Sequence, residues 1–140
     1  MRLLLNLDVP DLAVAEAFYV AAFGLRPGRR FGDAVVELLG AEAPLYLLRK
    51  DAGSMGAGDS PRGYRRHWMP MHADVVVELL EPALDRALAA GATQEGAVRE
   101  AAWGRIVQLA DPFGHGWCLL QFLGRGYDEI ADPPRMRSRG

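Results

Sequence analysis

The chain has 140 residues and a formal net charge of −2, with half of its residues hydrophobic and 24% charged. That balance predicts one globular domain with a real core, and it argues against nucleic acid or an anionic membrane as a general partner. Cys118 is the one cysteine and has no mate for an internal disulfide, so a reducing, cytoplasmic setting is expected. Met1-Arg2-Leu3-Leu4-Leu5 runs into Asn6 and Asp8 instead of a longer apolar stretch, so no secretory leader is expected. No apolar run reaches the roughly 18 residues of a membrane span.

Leu3 to Val9 reads as a short strand that Pro10-Asp11 ends. Asp11 is placed to cap a helix, because its carboxylate can accept from the orphan N–H groups of the first turn. Leu12, Ala15, Tyr19 and Ala22, with Phe18 beside them, lie at helical spacing up to Phe23, and Gly24 stops the helix as a C′ residue. Phe31 to Leu39 and Pro44 to Arg49 read as a hairpin turning near Gly40-Ala41-Glu42. Residues 51–70 change character: glycines, Ser60, Pro61 and the basic run Arg62, Arg65, Arg66 predict an exposed connection. Tyr64, His67 and Trp68 sit inside it, and a long loop with aromatics is commonly functional or interfacial.

The pattern then starts again. Met71 to Leu79 is a strand, Pro82 sits near N1 of a second helix, and Gly91-Ala92 ends that helix. Strands follow around Gly96–Arg99 and Arg105–Leu109. In Asp111-Pro112-Phe113-Gly114-His115-Gly116 a tight turn is predicted, and Trp117 to Phe122 reads as a buried last strand. His115 is expected to satisfy backbone groups of that turn. Val9 and Val77 end the two strands 68 positions apart, and Gly24 and Gly91 end the two helices 67 apart. Such a steady offset predicts an internal repeat of strand–helix–strand–strand–strand.

Val9-Pro10-Asp11-Leu12, Ala17-Phe18-Tyr19 and Phe23-Gly24-Leu25 in the first half resemble the vicinal oxygen chelate superfamily. In the second half Ala89-Ala90-Gly91-Ala92, Trp103-Gly104 and Asp111-Pro112-Phe113-Gly114-His115 do the same. That superfamily includes glyoxalase I, extradiol dioxygenases, fosfomycin-resistance enzymes and bleomycin-resistance proteins. The resemblance implies an α+β fold of two βαβββ modules whose curved mixed sheets surround a cleft. The modules span about 1–50 and 71–123, joined by 51–70, within a single domain of 1–123. Residues 124–140 form a tail in which Tyr127 and Ile130 are expected to dock on the body or on a second subunit. The last residues are expected to be mobile.

The resemblance also implies four positions for metal ligands. Carried onto this sequence they hold Leu4, Tyr46, His72 and Cys118. Only His72 matches; leucine cannot ligate, and cysteine is a soft substitute for a carboxylate. No cofactor is therefore expected, with a divalent metal disfavoured. Strand alternation places Leu4, Asn6 and Asp8 on one face, and Tyr46 with Leu48, His72 with Asp74 and Val76, and Cys118 with Leu120 on the matching faces. Trp68 and Trp103 are candidate aromatic walls for a flat ligand. The expected ligand-binding residues are thus Asn6, Tyr46, Leu48, Trp68, His72, Asp74, Trp103, Cys118 and Leu120. Candidate catalytic residues are His72 with Asp74 as a general base and Cys118, across the cleft, as a nucleophile. The expected function is metal-independent binding of a drug or metabolite, in a homodimer with no nucleic acid or membrane partner. The alternatives are a metal-dependent lyase, isomerase or dioxygenase, a cofactor-free enzyme on His72 and Asp74, or a ligand-sensing or structural domain.

Overall fold

A computed structural model describes residues 1–136. Strand β1 (Leu5–Val9) leads into helix α1 (Leu12–Phe23). Asp11 caps that helix by accepting the Val14 N–H at 3.0 Å, and Gly24 closes it in the left-handed region, φ 67°. Ala15, Phe18, Tyr19 and Ala22 are its buried stripe. Strands β2 (Arg26–Phe31), β3 (Val35–Leu39) and β4 (Leu45–Arg49) complete the first module, in the order β1-β4-β3-β2 with β1 parallel to β4.

The second module repeats this plan. Strand β7 (Ala73–Val76) precedes helix α2 (Leu80–Ala90), then β8 (Thr93–Gln94), β9 (Arg99–Ala101), β10 (Gly104–Ala110) and β11 (Gly116–Phe122). Its sheet runs β7-β11-β10-β8, with β9 also on β10 and β7 parallel to β11. Leu5 pairs with Leu45 in one sheet and Ala73 with Trp117 in the other, so Tyr46 and Cys118 occupy equivalent places. The fold is a mixed α+β pair of βαβββ modules with curved sheets.

Several boundaries differ from the sequence reading. Strand β2 starts at Arg26, where Arg-Pro-Gly-Arg-Arg-Phe has no apolar alternation; it is an exposed edge strand with a register shift between Pro27 and Arg30. The strand expected at Gly96–Arg99 is two short pieces, β8 and β9, separated by residues 95–98. Strand β7 begins only at Ala73, after Pro70, and Pro82 is the third helical residue of α2, not the first. The connection contains a small hairpin of β5 (Met55–Ala57) and β6 (Ser60–Pro61). Beyond the last strand, a 3₁₀ turn at Gly126–Glu129 puts Tyr127 against Trp103 and Phe122, with centroids 5.3 and 4.8 Å apart, while Ile130 stays exposed. The tail thus docks on the body through Tyr127; residues 137–140 lie outside the described part.

One apolar core joins the modules. Val9, Val36, Leu38, Leu45 and Leu47 of the first sheet and Val107, Leu109, Trp117 and Leu119 of the second all belong to it. At its centre the Tyr19 hydroxyl of α1 donates to the Asp111 carboxylate, and Trp117 Nε1 donates to the Tyr19 oxygen at 3.2 Å. Asp111 Oδ1 also accepts the backbone N–H groups of Phe113 and His115, at 2.9 and 2.8 Å. His115 Nδ1 reaches Asp111 Oδ2 at 2.7 Å, so its ring pairs with this carboxylate and not with backbone groups of the turn. Burial and the adjacent carboxylate push the Tyr19 phenol well above its usual range.

The connection crosses this turn closely. A Cβ on Gly114 would stand 2.6 Å from the Tyr64 carbonyl oxygen, and one on Gly116 would stand 2.6 Å from the Arg66 guanidinium. Arg62 Nε donates to Asp8 at 2.7 Å, and Arg66 forks onto Glu95, the shortest contact being 2.7 Å. The connection is therefore tied to both modules. Removing a buried acceptor with several donors destabilises more than removing one donor. Asp111→Ala is expected to lower unfolding free energy by about 3 kcal/mol or more, and Tyr19→Phe by about 1–2 kcal/mol. Urea denaturation of both variants and of the double variant checks this, with a coupling of at least about 0.5 kcal/mol expected between the two positions.

Candidate functional site

The core takes alternate residues of each strand, which leaves the remaining residues on the opposite face. On the first sheet that face carries Glu37 and Tyr46. Glu37 is 5% exposed on the central strand β3. Tyr46 donates to Glu37 Oε2 at 2.6 Å, and Arg29 NH2 reaches Glu37 Oε2 at 2.7 Å and the Tyr46 oxygen at 2.9 Å. Gly28 makes room, since a Cβ there would stand 2.6 Å from Glu37 Oε1. The Arg29 hydrogen bonds, helped by Tyr46, hold the Glu37 carboxyl down at about 2, from an ordinary 4.5.

The equivalent face of the second sheet carries a different set. Asp74 and Cys118 are direct partners on the adjacent strands β7 and β11. His72 lies two residues before Asp74, its Nε2 at 3.4 Å from Asp74 Oδ1. One donor atom from each of His72, Asp74 and Cys118 lies within 4.8 Å of the others. Cys118 is therefore a cross-strand neighbour of Asp74 in the same module, not a group across a cleft. Its thiol is buried, and burial together with Asp74 pushes it up to about 11, with Arg99 acting weakly the other way. That is the opposite of the activation a nucleophile needs. The indole of Trp68 stands 5.2 Å from the His72 ring, centroid to centroid.

The structure thus brings Trp68, His72, Asp74 and Cys118 together, with Leu120 buried beside them on the Cys118 face. It engages the other expected residues elsewhere. Tyr46 is held by Glu37 and Arg29, Trp103 by Tyr127, and Leu48 is half-buried on β4. Asn6 and Leu4 are exposed on or beside the edge strand β1, and Asp8 is held by Arg62. Among the described residues, no hydrogen bond or ion pair joins the Glu37 cluster to the Asp74 cluster. Sequence reasoning missed Glu37 and Arg29. The available signal was a glutamate inside the apolar run Val35-Val36-Glu37-Leu38-Leu39, since a charge in a central strand needs a partner.

A cavity of about 540 Å³ opens where the modules meet. Its walls are mainly apolar, with Leu5, Phe23, Leu25 and Leu45 from the first module and Val75 and Trp117 from the second. Asp74 and Glu42 are its two acidic residues, and Ala41 lies in its rim. From β1 and β4 it takes Leu5 and Leu45, one step out of phase with the expected Asn6 and Tyr46.

Two βαβββ modules with a cavity between them and a polar cluster on each sheet make up the chain. The chain belongs to the glyoxalase-like domain family, whose model matches residues 5–120. It is 34% identical over 122 residues to an uncharacterized protein of Mycobacterium bovis, covering 83% of this chain and 80% of that one. Among solved structures it is similar to a glyoxalase/bleomycin resistance protein/dioxygenase family enzyme from Burkholderia phytofirmans. The TM-score is 0.68 at 19% identity, covering 85% of this chain and 96% of that one. It is also similar to the fosfomycin resistance protein FosX of Listeria monocytogenes, with a TM-score of 0.67 at 17% identity, covering 86% and 92%. At these identities the structural likeness shows the fold. Among the described residues no helix is long and apolar enough to cross a membrane.

The family's metal positions can be tested on the donors present. The first module offers Leu4 and a Tyr46 already engaged by Glu37 and Arg29, so it does not fit a ligand role. The second offers the His72 imidazole and the Cys118 thiol, with the Asp74 carboxylate beside them, a set that fits a borderline-soft ion and not a hard one. An ion held there would lend Lewis acidity to an oxygen ligand.

Two outcomes follow from these environments. Because the Glu37 carboxyl is lower in the folded chain, its contribution is full above pH 4.5 and is lost as pH falls towards 2. The melting temperature is expected to drop over that window, and Glu37→Gln is expected to flatten the drop in calorimetric scans. Iodoacetamide at pH 7.5 is expected to label native Cys118 at least about 100-fold more slowly than the urea-unfolded chain, because burial withholds the thiolate.

Proposed function

We propose that this chain is a small-molecule binding protein, capturing an apolar drug or metabolite in the cavity between its modules. The carrying observation is that cavity, large enough for a small organic ligand and lined mainly by apolar side chains with two acidic handles. The acidic pair favours a ligand with a basic nitrogen. Capture needs no metal ion, since apolar contact and the two wall carboxylates of Asp74 and Glu42 are enough to hold a basic ligand. A homodimer in the cytoplasm is part of the same reading, supported by the lone cysteine and by the exposed apolar residues Met71, Val76 and Leu79 around β7.

A second reading is favoured by the 3.4 Å approach of His72 to Asp74: a cofactor-free enzyme with His72 as general base. The two separate in one experiment. A library of heteroaromatic amines is screened by thermal shift, and each hit is incubated with protein and recovered for mass spectrometry. Capture predicts a stabilisation of several degrees that Ala41→Trp removes by filling the rim, with the ligand recovered unchanged. Turnover that falls about 100-fold in His72→Ala would establish the enzyme instead.

A further inference from the structure

The cavity between the modules has a neighbour. A second cavity of about 320 Å³ lies where the end of α1, the start of α2 and the strand β7 meet. Ala22, Pro82, Ala83 and Leu119 give it apolar walls, and Glu78 and Arg86 are its two charged residues. Phe23, Val75 and Val77 line both cavities. Val75 and Val77 lie two residues apart and so share one face of their segment. The Val77 N–H still donates to the Leu120 carbonyl at 2.8 Å, which keeps this floor attached to the sheet. Phe23 is the last residue of α1 and meets that floor from the helix layer. Its ring is therefore the wall between two chambers that share a floor.

That wall is held in place. The Phe23 ring lies 5.2 Å from Trp117, 5.7 Å from Tyr19 and 6.3 Å from Phe18, centroid to centroid. Tilted and edge-on contacts of this kind fix a ring's orientation. Two of these neighbours are themselves bonded, Trp117 Nε1 donating to the Tyr19 oxygen at 3.2 Å. The far side of the smaller chamber is pinned as well. Arg86 of α2 donates from Nε to the Ala21 carbonyl at 2.8 Å, and its guanidinium lies where a Cβ on Gly24 would stand only 2.9 Å away. Neither the ring nor the helix opposite can swing aside without breaking these contacts.

We propose that Phe23 is the specificity-determining residue of the capture site: its ring divides an apolar trough into two chambers and restricts the captured ligand to compact amines. The inference rests on the capture reading above, with Asp74 and Glu42 seating the nitrogen in the larger chamber. A chain-like amine fills that chamber and then meets the ring. Each methylene that leaves water for an apolar wall raises affinity about fourfold, so the gain stops at the length where the chain reaches Phe23.

The test titrates the full chain calorimetrically with linear 1-alkylamines of about four to about ten carbons, a range over which buried methylenes dominate affinity. With the wild-type chain, affinity is expected to climb with length and then level off. Phe23→Ala joins the chambers and carries the climb on for about two further carbons, so that the longest amine binds at least about 10-fold more tightly than to the wild type. Phe23→Leu keeps the core packed, moves the limit by about one carbon, and carries the test where the alanine variant does not fold. Adding Ala83→Phe to either variant fills the smaller chamber and restores the original limit. Amines bound with one and the same limit in the wild type and the Phe23 variants would overturn the dividing role and leave capture standing, as would an extended limit that survives Ala83→Phe. No amine bound by the wild-type chain would remove capture, and the role of Phe23 with it.

Discussion

The Asp111 carboxylate is wholly shielded from solvent and accepts from four donors, and both modules depend on it. Two of those donors are N–H groups of its own turn, so the charge shapes the loop that feeds β11. A third is the His115 ring. The fourth is the Tyr19 hydroxyl, 92 residues away on the helix of the other module. A buried carboxylate is tolerated only when its lone pairs are met. Each module thus completes the other's polar requirements, and the apolar core around Tyr19, Phe18, Phe113 and Trp117 closes on a fixed geometry. The indole N–H of Trp117 adds a further tie, because β11 carries both this tryptophan and, one residue on and facing the other way, Cys118.

That alternation is how one strand serves packing and chemistry together. Trp117 and Leu119 join the core while Cys118 and Leu120 take the opposite face. In the first module Leu45 and Leu47 do the packing and Tyr46 takes the opposite face. The duplicated backbone therefore presents two equivalent positions with unlike content. One is filled by a tyrosine locked into an arginine–glutamate pair, and the other by a thiol beside a carboxylate and an imidazole. The first arrangement is closed by its own hydrogen bonds; the second groups a buried thiol with two partly exposed polar side chains.

Much of this was legible in the sequence because it was written twice. The steady offset between Val9 and Val77 and between Gly24 and Gly91 disclosed the two modules; Asp11 marked the start of the first helix by its side-chain acceptor and Gly24 its end by its freedom at positive φ. Alternation was enough to make His72 and Asp74 neighbours. It was not enough to put Cys118 beside Asp74, because the register of two parallel strands far apart in sequence is fixed by core packing, not by either segment. Strand β2 escaped because Arg26-Pro27-Gly28-Arg29-Arg30 has the composition of a turn, and only pairing with β3 makes it a strand. The Glu37 cluster escaped for the related reason that Arg29 lies on that unrecognised strand.

The connection between the modules has a consequence for the integrity of the chain. Its hairpin tip, Gly58-Asp59, is exposed, and Gly58 sits in the left-handed region at φ 57°. Arg62 and Arg66 both lie on the far side of that tip, one clasping Asp8 in the first module and the other Glu95 in the second. Gly53 and Ser54, on the near side, exchange backbone hydrogen bonds with Arg62. A backbone nick at the tip would leave each fragment with a whole βαβββ unit, and the downstream fragment would keep the arginine that grips the upstream one. The molecule is in this sense a pair of halves held by a clasp whose two arginines both lie downstream of the hairpin tip.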